Sequence, residues 1–148
     1  MAKFCLVSDI HLAFGGIVID NTENADCLLM AGDIFEFSDM NIKDQSLIGD
    51  YRYEFFKNIS EQFETVLYIA GNHEYYGHSV QGGPEQGKKY LEKNGWGNIK
   101  ILNNETVEIK GVLVHCATLW TNMNQGDPVV MYKAQNSMND YRQIWYKE

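Results

Sequence analysis

At 148 residues, 45% hydrophobic and 22% charged, the chain has the size and composition of one globular domain. A domain of that length removes about two-thirds of its unfolded surface from water. The formal net charge of -8, with Arg52 and Arg142 as the two arginines, argues against a broad nucleic-acid surface or an anionic-membrane footprint, although a bound cation would reverse that charge locally.

No run approaches the ~20 apolar residues of a membrane span, and the apolar run Phe4–Val7 is too short for a signal peptide. Cys5, Cys27 and Cys116 lie in or beside apolar stretches and read as reduced core residues, so a soluble cytoplasmic protein is expected. In chain order, the apolar runs Phe4–Val7, Cys27–Ala31 and 66–70, each closed by Gly, Asp or Asn, predict buried strands ending in turns. A loop or short helix is expected around residues 14–25. Over 46–63 apolar residues recur every four positions at Leu47, Tyr51, Phe55, Ile59 and Phe63, with Ile48 and Phe56 widening the stripe. That spacing predicts an amphipathic helix, and strand, helix, strand predicts a parallel crossover unit. A Gly-rich loop over 77–87 follows, with Pro84 starting a helix to about Asn94. Beyond it come short strands at Ile99–Leu102, 106–109 and 112–117, a hairpin turn at Lys110-Gly111, and a final helix from about Val129 that carries Tyr141, Ile144, Trp145 and Tyr146. A single α/β domain over 1–148 is the expectation.

Three polar fragments directly follow the predicted strands: Asp9-Ile10-His11, Gly32-Asp33 and Gly71-Asn72-His73-Glu74. Strand C-termini of an open α/β sheet share one edge, where ligand crevices form. Asp9, His11, Asp33, Asn72 and His73 can therefore converge there, and carboxylates, imidazole and amide together suit a metal.

These blocks resemble the calcineurin-like metallophosphoesterases, whose pattern opens Asp-x-His, continues Gly-Asp and then has Gly-Asn-His-Glu. The resemblance extends more loosely to Ala117-Thr118-Leu119-Trp120-Thr121 and Met138-Asn139-Asp140-Tyr141, which look like a bacterial and phage subgroup. It implies a layered α/β sandwich, with two sheets face to face, helices outside and metals at the strand ends. It also implies a hydrolase acting on a phosphomonoester or phosphodiester through up to two divalent ions, with manganese, iron, zinc or nickel suiting the donors. Residue by residue, the resemblance assigns Asp9 and His11 to the first metal, Asp33 to a bridge and Asn72 to the second metal. His73 becomes the group that steadies the phosphate or protonates the leaving oxygen, as an imidazole exchanges protons near neutral pH. Glu74 reads as a residue holding the loop.

The family pattern continues to a further strand-end His and a Gly-His-x-His block, whereas no His follows His115 here. The expected sandwich is therefore incomplete on its C-terminal side. Missing ligands would come from water, a second copy in a homodimer or a partner chain, and a non-catalytic binding module is the alternative. His78, on the Gly-rich loop, is a weak candidate for a substrate-facing role; His115 reads as an ordinary strand residue. Gly82 to Lys88 spells a phosphate-loop pattern, but Lys89 stands where Ser or Thr would hold magnesium. The acidic residues between Asp20 and Asp26 lack the spacing of a calcium loop.

Overall fold

The computed structural model describes residues 1–40 and 50–146. In chain order it contains β1 (Phe4–Val7), β2 (Cys27–Ala31), α1 (Tyr51–Gln62), β3 (Thr65–Ile69), β4 (His78–Ser79), α2 (Gly83–Lys93), β5 (Ile99–Leu102), β6 (Glu105–Ile109) and β7 (Val112–Cys116). A short helix Pro128–Ser137, a turn of helix Asp140–Gln143 and β8 (Ile144–Trp145) complete it. β1, β2, β3 and β5 form a parallel sheet in the order β1-β2-β3-β5, with Phe4 opposite Cys27, Cys27 opposite Thr65 and Val66 opposite Ile99. Parallel register brings the C-terminal ends of β1, β2 and β3 to one edge, which is where the polar fragments begin.

The central strands β2 and β3 are covered on both faces and are accordingly near-continuous apolar runs, whereas Leu6 of edge strand β1 and Lys100 of edge strand β5 are exposed. Leu28, Met30, Val66, Tyr68, Ile99 and Ile101 face α1 and α2, and pack with Phe55, Phe56, Ile59, Tyr90, Leu91 and Trp96. Cys27, Leu67 and Leu102 point the other way, onto Ile109 and Cys116 of the β6–β7 hairpin. Each large side chain buried this way contributes about 1.5–3 kcal/mol. The hairpin turns at Lys110 and Gly111 with φ of 47° and 83°, the paired left-handed geometry that matches strand twist. Asp50 caps α1 by accepting from the Arg52 N–H at 2.9 Å, and the Arg52 guanidinium beside it holds its carboxyl below the usual range. All three cysteines are free, and burial pushes the Cys27 thiol up to about 11.

The first part of the helix expected over 46–63, with Leu47 and Ile48, lies outside the described residues; the amphipathic stripe from Tyr51 onward is helical as expected. Several boundaries differ from expectation. β3 starts one residue early because Thr65 completes the ladder opposite Cys27. The stretch 77–87 is no continuous loop: His78–Ser79 pairs with Ile144–Trp145 in parallel, and α2 begins at Gly83, one residue before Pro84. For the same reason the final helix does not run to the end, since it stops at Ser137 and Ile144–Trp145 is extended. Of the two alternatives expected for residues 14–25, the structure has the loop, with no helix there. Among the described residues no helix is long and apolar enough to cross a membrane.

Candidate metal centre

The backbone ladder of β1 and β2 continues past the strands into the polar fragments. The Asp9 N–H donates to Gly32 O at 3.0 Å, the His11 N–H to Asp33 O at 2.9 Å and the Leu12 N–H to Ile34 O at 2.9 Å. Asp9, His11 and Asp33 all have φ near +50°, at 54°, 48° and 56°. Left-handed backbone costs a non-glycine residue roughly 1–2 kcal/mol, so three such residues in two paired loops mark a shape held by its surroundings. Gly32 and Gly71 let the loops meet: a Cβ on Gly32 would stand 2.7 Å from the Gly71 nitrogen, and one on Gly71 would strike the Asp33 carboxylate and stand 2.8 Å from its backbone nitrogen.

Glu74 lies fully buried beneath this junction. Its Oε2 accepts from the N–H groups of Asp33 at 2.9 Å and Gly71 at 2.7 Å; its Oε1 accepts from the Ile34 N–H at 2.6 Å and the Tyr68 hydroxyl at 2.9 Å. Burial raises the Glu74 carboxyl above its usual range, and the donors around it oppose that shift. One carboxylate therefore ties the Gly32-Asp33 loop to the Gly71-Asn72 loop, which is the loop-holding role expected from its position.

Above Glu74, donor atoms of His11, Asp33 and His73 all lie within 4.8 Å of one another. His11 Nε2 and Asp33 Oδ2 are 3.9 Å apart, and the two side chains remain 28% and 15% exposed. Ligand atoms sit about 2.0–2.2 Å from such ions, so two ligands of one ion stand at most about 4.4 Å apart and the His11–Asp33 gap already fits. Asp33 Oδ1 accepts the His73 N–H at 3.0 Å, which leaves Oδ2 facing His11. The imidazoles of His11 and His73 meet edge to face, with centroids 4.6 Å apart. Asp9 and Asn72 line a cleft of about 530 Å³ with Asp33, but Asp9 stands outside the close group of three.

The far wall of that cleft is built by Ala117, Thr118, Leu119, Trp120, Thr121, Met138 and Asp140, the two blocks singled out in the sequence. Thr118 fastens this wall to the sheet edge by donating its hydroxyl to Ala70 O at 2.7 Å. His78 does not line the cleft. Its Nδ1 accepts the Ser79 N–H at 2.8 Å, so its Nε2 carries the proton and donates to Gln86 Oε1 at 3.1 Å, leaving neither nitrogen free for a substrate. His115 sits on the exposed face of the hairpin against Thr106. Tyr76 was not anticipated: its ring stacks on His73 at 4.3 Å and its hydroxyl lies 3.5 Å from Asn72 Nδ2. Its spacing of three and four residues from those side chains on a helical turn was the available signal.

Residues 2–148 match the calcineurin-like phosphoesterase family. The chain belongs to that family. Divalent-metal use and a phosphate-ester substrate are properties of the family, and the mixed α/β architecture agrees with its fold. An uncharacterized protein of Acanthamoeba polyphaga mimivirus is 29% identical over 150 residues, which cover 93% of this chain and 50% of the viral protein. The crystal structure of a phosphopantetheinyl hydrolase from Mycobacterium tuberculosis matches with a TM-score of 0.55 at 12% identity, over 97% of this chain and 55% of the other. That likeness is one of fold. This calcineurin-like phosphoesterase chain spans about half the length of the relatives it matches.

Proposed function

We propose that this chain carries the metal-binding edge of a phosphoesterase that hydrolyses a phosphomonoester or phosphodiester at a dinuclear site. The observation that carries this reading is the convergence of His11, Asp33 and His73 donor atoms within 4.8 Å at the end of a parallel sheet, in a chain of this family. Asp9 and His11 would hold a first ion, Asn72 would hold a second, and Asp33 would be shared between them. Manganese, iron, zinc or nickel all suit these donors. Bound ions supply an acidified water and neutralise charge on the phosphoryl oxygens. The chain's own part is placement: the His73 N–H fixes one Asp33 oxygen, Glu74 fixes the loops beneath, and the His73 imidazole hands a proton to the leaving oxygen. Any further ligands would come from water, a second copy of the chain or a partner chain.

The proximity of His73 to His11 and Asp33 favours a second role for it, as a direct ligand. Two variants separate the roles when hydrolysis of an aryl phosphate is measured with added Mn²⁺ alongside metal content. Asp33→Ala is expected to abolish both turnover and stoichiometric metal. His73→Ala is expected to lower turnover by roughly 10²–10⁴-fold while metal content holds, if its work is proton transfer. Equal metal loss in both variants makes His73 a ligand. Metal bound by the wild type without turnover leaves a non-catalytic binding module, and undiminished activity in Asp33→Ala overturns the assignment.

A further inference from the structure

We infer that Tyr76 is a positioning residue that sets the amide orientation of Asn72 and the ring plane of His73 at once; this rests on the metal reading above. An asparagine amide can serve a cation only through Oδ1, because its Nδ2 presents protons. Which end faces the cleft depends on what the other end finds. Tyr76 Oη stands 3.5 Å from Asn72 Nδ2, at the long end of hydrogen bonding, and a phenolic oxygen can accept there. With Nδ2 held by Tyr76, Oδ1 is left to the cleft that Asn72 lines with Asp9 and Asp33.

The same aromatic ring lies nearly parallel to the His73 imidazole, at 4.3 Å and 23°, while the His11 ring meets that imidazole at 4.6 Å and 75°. His73 thus contacts two rings, one stacked and one edge to face. Tyr76 itself is anchored from both sides, its N–H donating to His73 O at 3.0 Å and the following Gly77 N–H donating to Gln143 O at 2.9 Å. One side chain, itself neither carboxylate nor imidazole, therefore reaches two of the four residues in the Gly71-Asn72-His73-Glu74 block. Partners that orient metal ligands typically cost 10 to 100-fold in affinity when removed.

Tyr76→Phe separates the two contacts, since it keeps the ring on His73 and deletes only the acceptor for Asn72. Mn²⁺ binding to the whole chain, measured by titration calorimetry, is the readout. The expected result is a roughly tenfold weaker affinity for Tyr76→Phe in the presence of Asn72, at the low end of such effects. In an Asn72→Ala background the same substitution should change affinity by less than about twofold, because contacts acting through one residue are non-additive. Unchanged affinity in Tyr76→Phe, or equal loss in both backgrounds, overturns the role of Tyr76. Failure of the wild type to bind Mn²⁺ overturns the metal reading itself, and this inference with it.

Discussion

The two walls of the cleft are built on opposite terms. On one side, Asp9, Asp33 and Asn72, with His11 and His73 beside Asp33, are polar groups on strained or tight backbone, held from below by a buried carboxylate, a buried tyrosine and two close glycine contacts. On the other side, residues 117–121, Met138 and Asp140 belong to a segment, 117–146, that presents apolar side chains outward: Leu119 is 94% exposed, Tyr146 75% and Trp145 48%, and no residue of the helix Pro128–Ser137 is buried. The first wall has its supports within the chain. The second is fastened at few points, chiefly Thr118 to Ala70 and the two-residue pairing of β4 with β8. The same substitution chemistry should therefore have large consequences on one wall and small ones on the other.

The largest effect is expected at Glu74. Its two oxygens face backbone N–H groups on both sides, so in Glu74→Gln either amide orientation turns an NH₂ toward donors. Each buried donor left without an acceptor costs about 1–3 kcal/mol, giving a loss of about 3 kcal/mol in unfolding free energy. Urea denaturation of the two proteins measures it directly. A loss under about 0.5 kcal/mol, typical of a surface site, would mean that the loops do not depend on Glu74.

Gly71→Ala comes next. Its new methyl would collide with the Asp33 carboxylate, which must swing away or push the loops apart. Overpacking of this kind costs typically 1–3 kcal/mol, and because Asp33 moves, metal affinity should fall alongside stability. Stability lost with Mn²⁺ affinity intact would show that the glycine serves packing alone.

The sequence carried the sheet and the edge more clearly than it carried their supports. Phe4–Val7 and Cys27–Ala31 were legible as continuous apolar runs and Ile99–Leu102 as an apolar run broken only by the exposed Lys100, and the polar fragments could be placed because they follow such runs directly. The β4–β8 pairing was not legible, since two-residue strands 66 positions apart carry no periodicity of their own. Nor were the left-handed φ values of Asp9, His11 and Asp33, which arise from the pairing of two loops rather than from local preference. Asp9 and Asn72 were expected with His11 and Asp33 in one cluster. The geometry brings His73 donor atoms within 4.8 Å of those of His11 and Asp33, while Asp9 and Asn72 line the cleft together with Asp33. Tyr76 escaped notice because it stands just beyond the Gly71-Asn72-His73-Glu74 block and is itself neither carboxylate nor imidazole.

The smallest effect on folding is expected on the second wall. Leu119 and Tyr146 have most of their surface in water already, so Leu119→Ala and Tyr146→Ala should each change unfolding free energy by no more than about 0.5 kcal/mol. Their consequence should appear in association instead. Leu119, Trp120, Trp145 and Tyr146 together offer exposed apolar surface, and covering even a few hundred Å² at about 25 cal/mol per Å² is worth several kcal/mol before the costs of association. Light scattering at tens of micromolar is expected to find the wild-type chain as a homodimer, or bound to a partner chain where one is supplied, and the double variant as a monomer of unchanged stability. A wild-type chain that stays monomeric at that concentration contradicts the homodimer. A double variant that unfolds about as readily as Glu74→Gln breaks the contrast between the walls, since it would place the support of this exposed segment within the chain itself.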